Sequence, residues 1–407
     1  MTGHSLRITC FSILASLVPL CSVTMPLINP APEPPTKLGY LRTLSTRAGV
    51  NVSPLCLGAM SIGESQWSKH MGSMDKESSF KLLDAYFDMG GNFIDTANNY
   101  QDETSEKFIG EWAEKRGIRD QLVIATKYSA NWKRGATDIA QKAHYVGNSV
   151  KSLQISVEAS LKKLRTTYID ILYVHWWDWS TSVEEIMDAL HHLVAQGKVL
   201  YLGISDSPAW VVSQANTYAR CMGKTPFVIY QGMWSVKDRD FQRDIIPMAR
   251  SFGMALAPWG VVGQGKFLSE AEVKRRQESG EGGRTILSDN WQPTEDEMRI
   301  SRALENVAKE IGAKSLTAVA IAYVMQKTPY VFPIIGGRKV EHLVSNLEAL
   351  DIELSDEQVK YLESIIPFQA GFPYSLIGDG TTIPWTLSNA IKMQKIPPLQ
   401  ALRPIKN

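Results

Sequence analysis

Four ionisable side chains stand where short apolar runs give way to polar residues. Asp95 and Tyr100 follow Phe93-Ile94, Lys127 ends Leu122–Lys127, and His175 ends Ile169–His175. An acid, a phenol, an amine and an imidazole gathered in one place can move a proton onto an oxygen. A phenol has a pKa of about 10, and a nearby cation stabilises its anion and lowers that value. Lys127 can be that cation, and Asp95 the counter-charge that keeps a lysine protonated in a walled pocket. His175 can donate a hydrogen bond to the same substrate oxygen. The set describes proton donation to a carbonyl, which is half of a reduction. Each residue alone also has a plainer reading: a strand cap and a surface tyrosine, a solvated strand end, a hydrogen-bonded core histidine.

The elements that would bring these groups together are written as a rhythm. Eight apolar runs, Ser53–Met60, Asn92–Asp95, Leu122–Lys127, Ile169–His175, Val199–Ser205, Phe227–Gln231, Met254–Trp259 and Val331–Ile335, alternate with stretches of helical periodicity. The helical stretches are Lys76–Met89, Thr104–Arg116, Val150–Leu164, Val183–Gln196, Pro208–Met222, Arg239–Phe252, Met298–Lys327 broken near Gly312, and Glu341–Leu350. Repeated βα units of this number predict an α/β fold of the closed (β/α)8 TIM barrel type, whose working residues sit at the carboxyl ends of the strands. The alternative, an open doubly wound sheet, calls for a Gly-rich turn that Leu57-Gly58-Ala59-Met60-Ser61-Ile62-Gly63 does not supply. A long, charged and Gly-rich loop, Gly260 to Glu297, interrupts the rhythm after the seventh run and predicts a lid or a disordered insert on the active face. The tail, residues 368–407, is irregular and is expected to fold over that face as well.

At 407 residues the chain can hold one large barrel over residues 38–367 between an N-terminal leader with a Pro-rich arm, 1–37, and the tail. Its 43 basic and 42 acidic residues leave a net charge of +1, which argues against nucleic acid and points to a small-molecule partner. Its four cysteines show no metal-ligand or disulfide spacing, so no metal is expected. The apolar stretch from Ile8 to Thr24, with Arg7 ahead of it, has the layout of a secretory signal but is short for a membrane span. Met25 opens a Pro-rich lead-in that would suit a cytosolic start, so a dispensable leader, a cytoplasmic location and no membrane partner are expected.

The second half of a reduction is a hydride. Side chains cannot supply one, so a nicotinamide cofactor is implied. At this point the chain resembles a known family. Gly91-Asn92-Phe93-Ile94-Asp95-Thr96-Ala97 with Tyr100, Thr126-Lys127, Tyr173-Val174-His175, Gly203-Ile204-Ser205 and Ile335-Gly336-Gly337-Arg338 with Asn346 look like the aldo-keto reductase superfamily. Gly336-Gly337-Arg338-Lys339-Val340-Glu341-His342-Leu343 is similar to its fungal branch of aryl-alcohol dehydrogenases and norsolorinic acid reductase-like enzymes of secondary metabolism. The resemblance implies NADPH as cofactor and Tyr100 as proton donor, assisted by Lys127, Asp95 and His175. It implies that Ser205 and Gln231 hold the nicotinamide carboxamide, that Trp259 stacks under the ring, and that Gly260 follows in the cofactor site. Asp206 stands where many members carry Asn, and a carboxylate only accepts hydrogen bonds. For the adenosine end, Gly336 and Gly337 allow close backbone approach, Arg338 offers a guanidinium to a 2′-phosphate, and Asn346 and His342 complete the set.

Among eleven tryptophans, Trp67, Trp132, Trp176, Trp234 and Trp259 fall at or just after strand ends. Read together with the tetrad, the first four line a pocket for a flat aromatic or polycyclic carbonyl or alcohol. Core and lid packing is the plainer reading. Two functions fit the whole: a reductase, or alcohol dehydrogenase in reverse; and a cofactor-binding module without turnover, such as the reductase-fold auxiliary subunits of potassium channels.

Overall fold

The computed structural model describes residues 29–65, 72–285 and 290–405. The leader expected at 8–24, and Trp67, lie outside the described residues. The compact unit that contains the site is Pro34–Asn407.

An antiparallel hairpin, β1 (Arg42–Ser45) and β2 (Ala48–Val52), comes first. Eight parallel strands follow: β3 (Cys56–Gly58), β4 (Phe93–Asp95), β5 (Val123–Tyr128), β6 (Ile169–Val174), β7 (Val199–Ser205), β8 (Phe227–Met233), β9 (Ala255–Trp259) and β10 (Ile334–Ile335). They lie in the order β10-β3-β4-β5-β6-β7-β8-β9, all parallel, as the sequence rhythm predicts for a (β/α)8 barrel. The ring closes through the segment 330–335, where Leu256 N–H donates to Tyr330 O at 2.9 Å and Phe332 N–H to Leu256 O at 2.8 Å. Pro333 has no N–H to give to a ladder, so this last strand is divided: Val331 bridges Leu256 on β9, and Ile334–Ile335 pair with Cys56 and Leu57 on β3.

The longer helices are α1 (Lys76–Asp88), α2 (Thr104–Arg116), α3 (Val150–Lys163), α4 (Val183–Ala195), α5 (Ala209–Cys221), α6 (Ile245–Phe252), α7 (Glu270–Ser279), α8 (Glu295–Ile311), α9 (Leu316–Lys327), α10 (Val340–Leu347) and α11 (Asp356–Ile365), and the tail adds the single turns Tyr374–Ile377 and Trp385–Ser388. Side chains of Asp75, Ser149, Ser182 and Thr294 cap the starts of α1, α3, α4 and α8 by accepting from backbone N–H groups that have no partner inside the helix. The buried rows of these helices cover the outside of the barrel. Its interior holds Phe93, Val123, Ile171, Ile229, Ala255 and Phe332, closed from below by Leu44, Ala48 and Val52 of the hairpin. Packing at that end leaves the opposite, carboxyl end of the strands free for chemistry.

Two expectations need correction. The segment after the seventh barrel strand is not a loop throughout, because α7 forms within it, capped by Ser269. It buries no side chain and is instead held by pairs such as Arg276–Glu272, and by Arg302 of α8 on Glu270, so it shows no apolar periodicity to read. The tail does not cross the active face. Arg243 binds the carbonyl of Ala370 near the start of α6, Arg403 binds that of Leu354, and Lys37 binds that of Ile405. Lys37 lies one residue from Thr36, which is hydrogen-bonded to Met89 just ahead of β4, so the tail descends the outer wall to the hairpin end.

Candidate active site

Adjacent strands deliver three of the four expected groups side by side. Asp95 ends β4, Lys127 is the fifth residue of β5, and His175 directly follows β6. Lys127 Nζ donates to Asp95 Oδ1 at 2.5 Å and to the Thr96 carbonyl at 2.8 Å, and reaches the Tyr100 hydroxyl at 3.5 Å. Gln231 Nε2 from β8 donates to the other oxygen of Asp95 at 2.9 Å. The lysine is therefore held by a carboxylate that is itself held, and its burial in the barrel is compensated. Its ammonium also lies 5.0 Å from the centre of the Tyr100 ring, and the His175 ring meets that of Tyr100 edge to face at 6.0 Å.

The electrostatics depart from the simplest expectation. Burial is the largest influence on Tyr100 and raises its pKa above the ordinary 10.0, against the pull of Lys127 and with the help of Asp95. The phenol thus stays protonated. His175 is pushed well below 6.5, first by burial and then by Lys127, so the imidazole is neutral, and its buried Nδ1 has no partner among the described residues. A phenol with its proton and a neutral imidazole with an uncommitted nitrogen suit a site that meets a carbonyl oxygen.

The turn after Tyr100 was not legible as special. Gln101, Asp102 and Glu103 have φ values of 49, 47 and 79, three successive left-handed residues that all carry side chains. The Gln101 amide donates to the carbonyls of Met60 and Gly72, both at 2.7 Å, and accepts from Ser65 Oγ at 2.9 Å. Arg134 pairs with Asp102, and Lys133 and Lys163 with Glu103. Strain of this kind persists only where its surroundings over-determine it, and here it fixes the residue next to the phenol.

On the other side, Ser205 ends β7, Asp206 follows it and Trp259 ends β9. Asp206 accepts from Trp259 Nε1 at 3.3 Å and from Ser205 Oγ at 3.2 Å. Gln231 spends one amide N–H on Asp95 and keeps a second N–H and its carbonyl oxygen. Gly260 follows Trp259 with φ +71, a conformation that suits glycine.

Gly336, Gly337 and Arg338 follow β10. The lid contributes Arg284, a residue that nothing in the sequence set apart from its basic neighbours. Its Nη2 donates to Ser61 Oγ at 2.8 Å and lies 3.5 Å from where a Gly336 side chain would begin. Burial, and then Arg338, lowers the pKa of Arg284. Desolvation followed by Lys339, Arg276 and Arg338 lowers that of His342. Neither Arg284 nor Arg338 has a carboxylate partner among the described residues. Two guanidiniums that repel each other beside a pair of glycines form a place for an anion such as phosphate. Asn346 is buried on α10.

The tryptophans expected to line a pocket have different settings. Trp234 is fully buried and stacked on Phe241 at 5.5 Å, so it belongs to the core and cannot meet a substrate from solvent. Trp132 is 7% exposed and packs against Tyr145 beneath the ammonium groups of Lys133 and Lys163. Trp176, 40% exposed and tilted over His175 at 4.4 Å, remains accessible. Trp179, on the loop after β6, and Trp210, in the first turn of α5, to which the sequence assigns no role, are exposed and 6.3 Å apart.

A (β/α)8 barrel carrying a phenol, a lysine, a carboxylate and an imidazole at the carboxyl ends of its strands has the form of an oxidoreductase barrel. A sequence profile of the Aldo/keto reductase family matches residues 54–367, and the chain belongs to that family. It is 63% identical to an aryl-alcohol dehydrogenase [NADP(+)] of Phanerodontia chrysosporium, over 93% of this chain and 99% of that one. It is 54% identical to the aldo-keto reductase ausK of Aspergillus calidoustus, over 86% and 88%, and 48% identical to a norsolorinic acid reductase of Aspergillus flavus, over 92% and 96%.

Proposed function

We propose that this chain is an NADPH-dependent carbonyl reductase acting, in either direction, on an aromatic or polycyclic aldehyde or ketone and its alcohol, in fungal secondary metabolism. The observation that carries the reading is the Lys127 ammonium held between Asp95 and the protonated Tyr100, with neutral His175 against the same phenol. Relatives whose names specify aryl alcohols and norsolorinic acid support the substrate class.

Bound NADPH supplies the hydride. Tyr100 supplies the proton: its hydroxyl binds the carbonyl oxygen, assisted by a hydrogen bond from His175, and protonates it as charge develops there. Lys127 stabilises the phenolate that remains, while Asp95, Gln231 and the Thr96 carbonyl hold the ammonium in place. Ser205 and Trp259 orient the nicotinamide; Gly260, Gly336, Gly337, His342 and Asn346 line the rest of the cofactor site. Arg338 reads the 2′-phosphate, and Arg284 brings the lid onto the same anion. Trp176 at the mouth receives the substrate ring, and the location is cytoplasmic. No described helix is long and apolar enough to cross a membrane.

The test is a panel of aromatic aldehydes and polycyclic aromatic ketones with NADPH, followed by loss of cofactor absorbance. Turnover that requires Tyr100 supports the reading. Tight NADPH binding without turnover of any carbonyl would favour the binding-only role.

A further inference from the structure

Trp179 and Trp210 are 68% and 61% exposed, and their rings lie 6.3 Å apart. A single tryptophan at a surface calls for no explanation, but two adjoining indoles make a flat apolar patch. Both stand on the face that carries the tetrad. Trp179 lies between β6 and α4, and Trp210 is the second residue of α5, which follows β7; the two strands are neighbours in the sheet.

The loop that presents Trp179 is firmly built. Asp178 accepts from the N–H of Asn148 at 2.7 Å, from the N–H groups of Ser180 and Thr181 at 2.9 Å and from the Thr181 hydroxyl at 3.0 Å. Its own N–H donates to Asn148 Oδ1 at 2.8 Å. The Asn148 amide, fully buried, donates in turn to Ser129 Oγ at 2.7 Å and to the Trp176 carbonyl at 3.0 Å. Next to this network the backbone of Trp179 is left-handed, φ +62, an unfavourable state for a bulky residue. The strain brings its side chain no burial, so packing does not account for it. Strain held by its surroundings in this way collects at positions that meet ligands.

The patch continues outward from the tetrad. The rings of Tyr100 and His175 meet at 6.0 Å, and those of His175 and Trp176 at 4.4 Å. Trp179 is three residues past Trp176, so their Cα atoms are at most about 11 Å apart. We propose that Trp179 and Trp210 form a second aromatic subsite, which receives the far ring of a fused-ring substrate whose carbonyl is at Tyr100 and so selects fused-ring over single-ring carbonyls. This rests on the proposed function and names what sets the size of its substrate.

The test compares two aldehydes, benzaldehyde and anthracene-2-carbaldehyde, with NADPH and the full-length protein. Contact with a ring remote from the carbonyl is equal in the ground and transition states, so its loss raises KM and leaves kcat. Trp179→Ala and Trp210→Ala should each raise KM for the anthracene aldehyde by about tenfold, with kcat, the benzaldehyde constants and NADPH affinity within twofold of the parent. Trp179→Phe should recover most of the loss. Trp179→Gly, which relaxes the left-handed backbone, should fold as the parent does and show the loss in full. Equal effects on the two aldehydes, or none on either, would overturn the subsite and leave the proposed function standing. A parent dimer that Trp179→Ala dissociates in sedimentation, with both KM values unchanged, would also overturn it and give the patch to a second copy of the chain. No turnover of either aldehyde by the parent would overturn the subsite and the proposed function together.

Discussion

Lys127 Nζ and Asp95 Oδ1 meet at 2.5 Å inside the barrel, with the lysine side chain fully buried and that of the aspartate 5% exposed. Removing one member of such a pair strands the other charge, at a cost of about 3–5 kcal/mol. Lys127→Met should therefore lower the melting temperature and remove most turnover. The double variant Lys127→Met/Asp95→Asn should regain much of the stability and none of the activity. A double variant no more stable than Lys127→Met would show that the pair is not what compensates the burial.

The pH dependence follows from two opposite shifts. Tyr100 is raised above 10.0, so its donor form is fully present at neutral pH and is lost only as pH climbs through that higher value. His175 is well below 6.5 and stays uncharged over the same range. Carbonyl reduction at saturating cofactor and substrate should be level from about pH 7 to pH 9, while alcohol oxidation, which needs the phenolate, should rise with pH. A reduction rate that falls by half near pH 6.5 as pH increases would mean that a cationic His175 takes part.

Arg284 of the lid reaches Gly336 and feels the charge of Arg338, two residues further on, whose side chain lies against Gly72. Charge-assisted hydrogen bonds to a phosphate are worth roughly tenfold to a hundredfold in affinity. Arg338→Ala should weaken NADPH binding by that factor and leave NADH nearly unchanged. Arg284→Ala should mainly speed NADPH release, because a lid contact is made after the cofactor is in place. Stopped-flow fluorescence separates the two, and equal losses for NADPH and NADH in Arg338→Ala would contradict its assignment to the 2′-phosphate.

The left-handed turn at Gln101–Glu103 gives a prediction about positioning. Gln101→Ala removes three partly buried hydrogen bonds that hold the turn next to Tyr100. We expect kcat to fall by about tenfold with NADPH affinity retained, since the change reaches the phenol and not the cofactor residues. Unchanged kcat in a variant with a lowered melting temperature would make the turn a stability feature only.

Much of the barrel could be read because parallel strands covered on both faces are continuous apolar runs, and amphipathic helices repeat between them. The hairpin Arg42–Val52 escaped notice because its turn, Thr46-Arg47, lacks the Asn or Gly that marks a tight hairpin. Helix α7 escaped because it has no buried face, and α11, which begins at a Ser355 capping box, was absorbed into the region before the tail. At the site, Asp95, Lys127 and His175 were legible because they interrupt or end apolar strands. Arg284 and Gln101 were not, since their roles depend on where a loop returns and how a turn is strained. Trp234 misled because tryptophan near a strand end has the same appearance in sequence whether it packs on Phe241 or faces a ligand.

The central claim is that the Tyr100 hydroxyl gives its proton to the substrate and takes no part in holding the cofactor. Tyr100→Phe deletes that oxygen and little else, so the decisive comparison is NADPH dissociation constant against single-turnover reduction of an aromatic aldehyde in parent and variant. The account predicts affinity within a few-fold of the parent and a hydride-transfer rate lower by about two orders of magnitude or more. Full turnover in Tyr100→Phe would contradict both the proton donor and the location of the site.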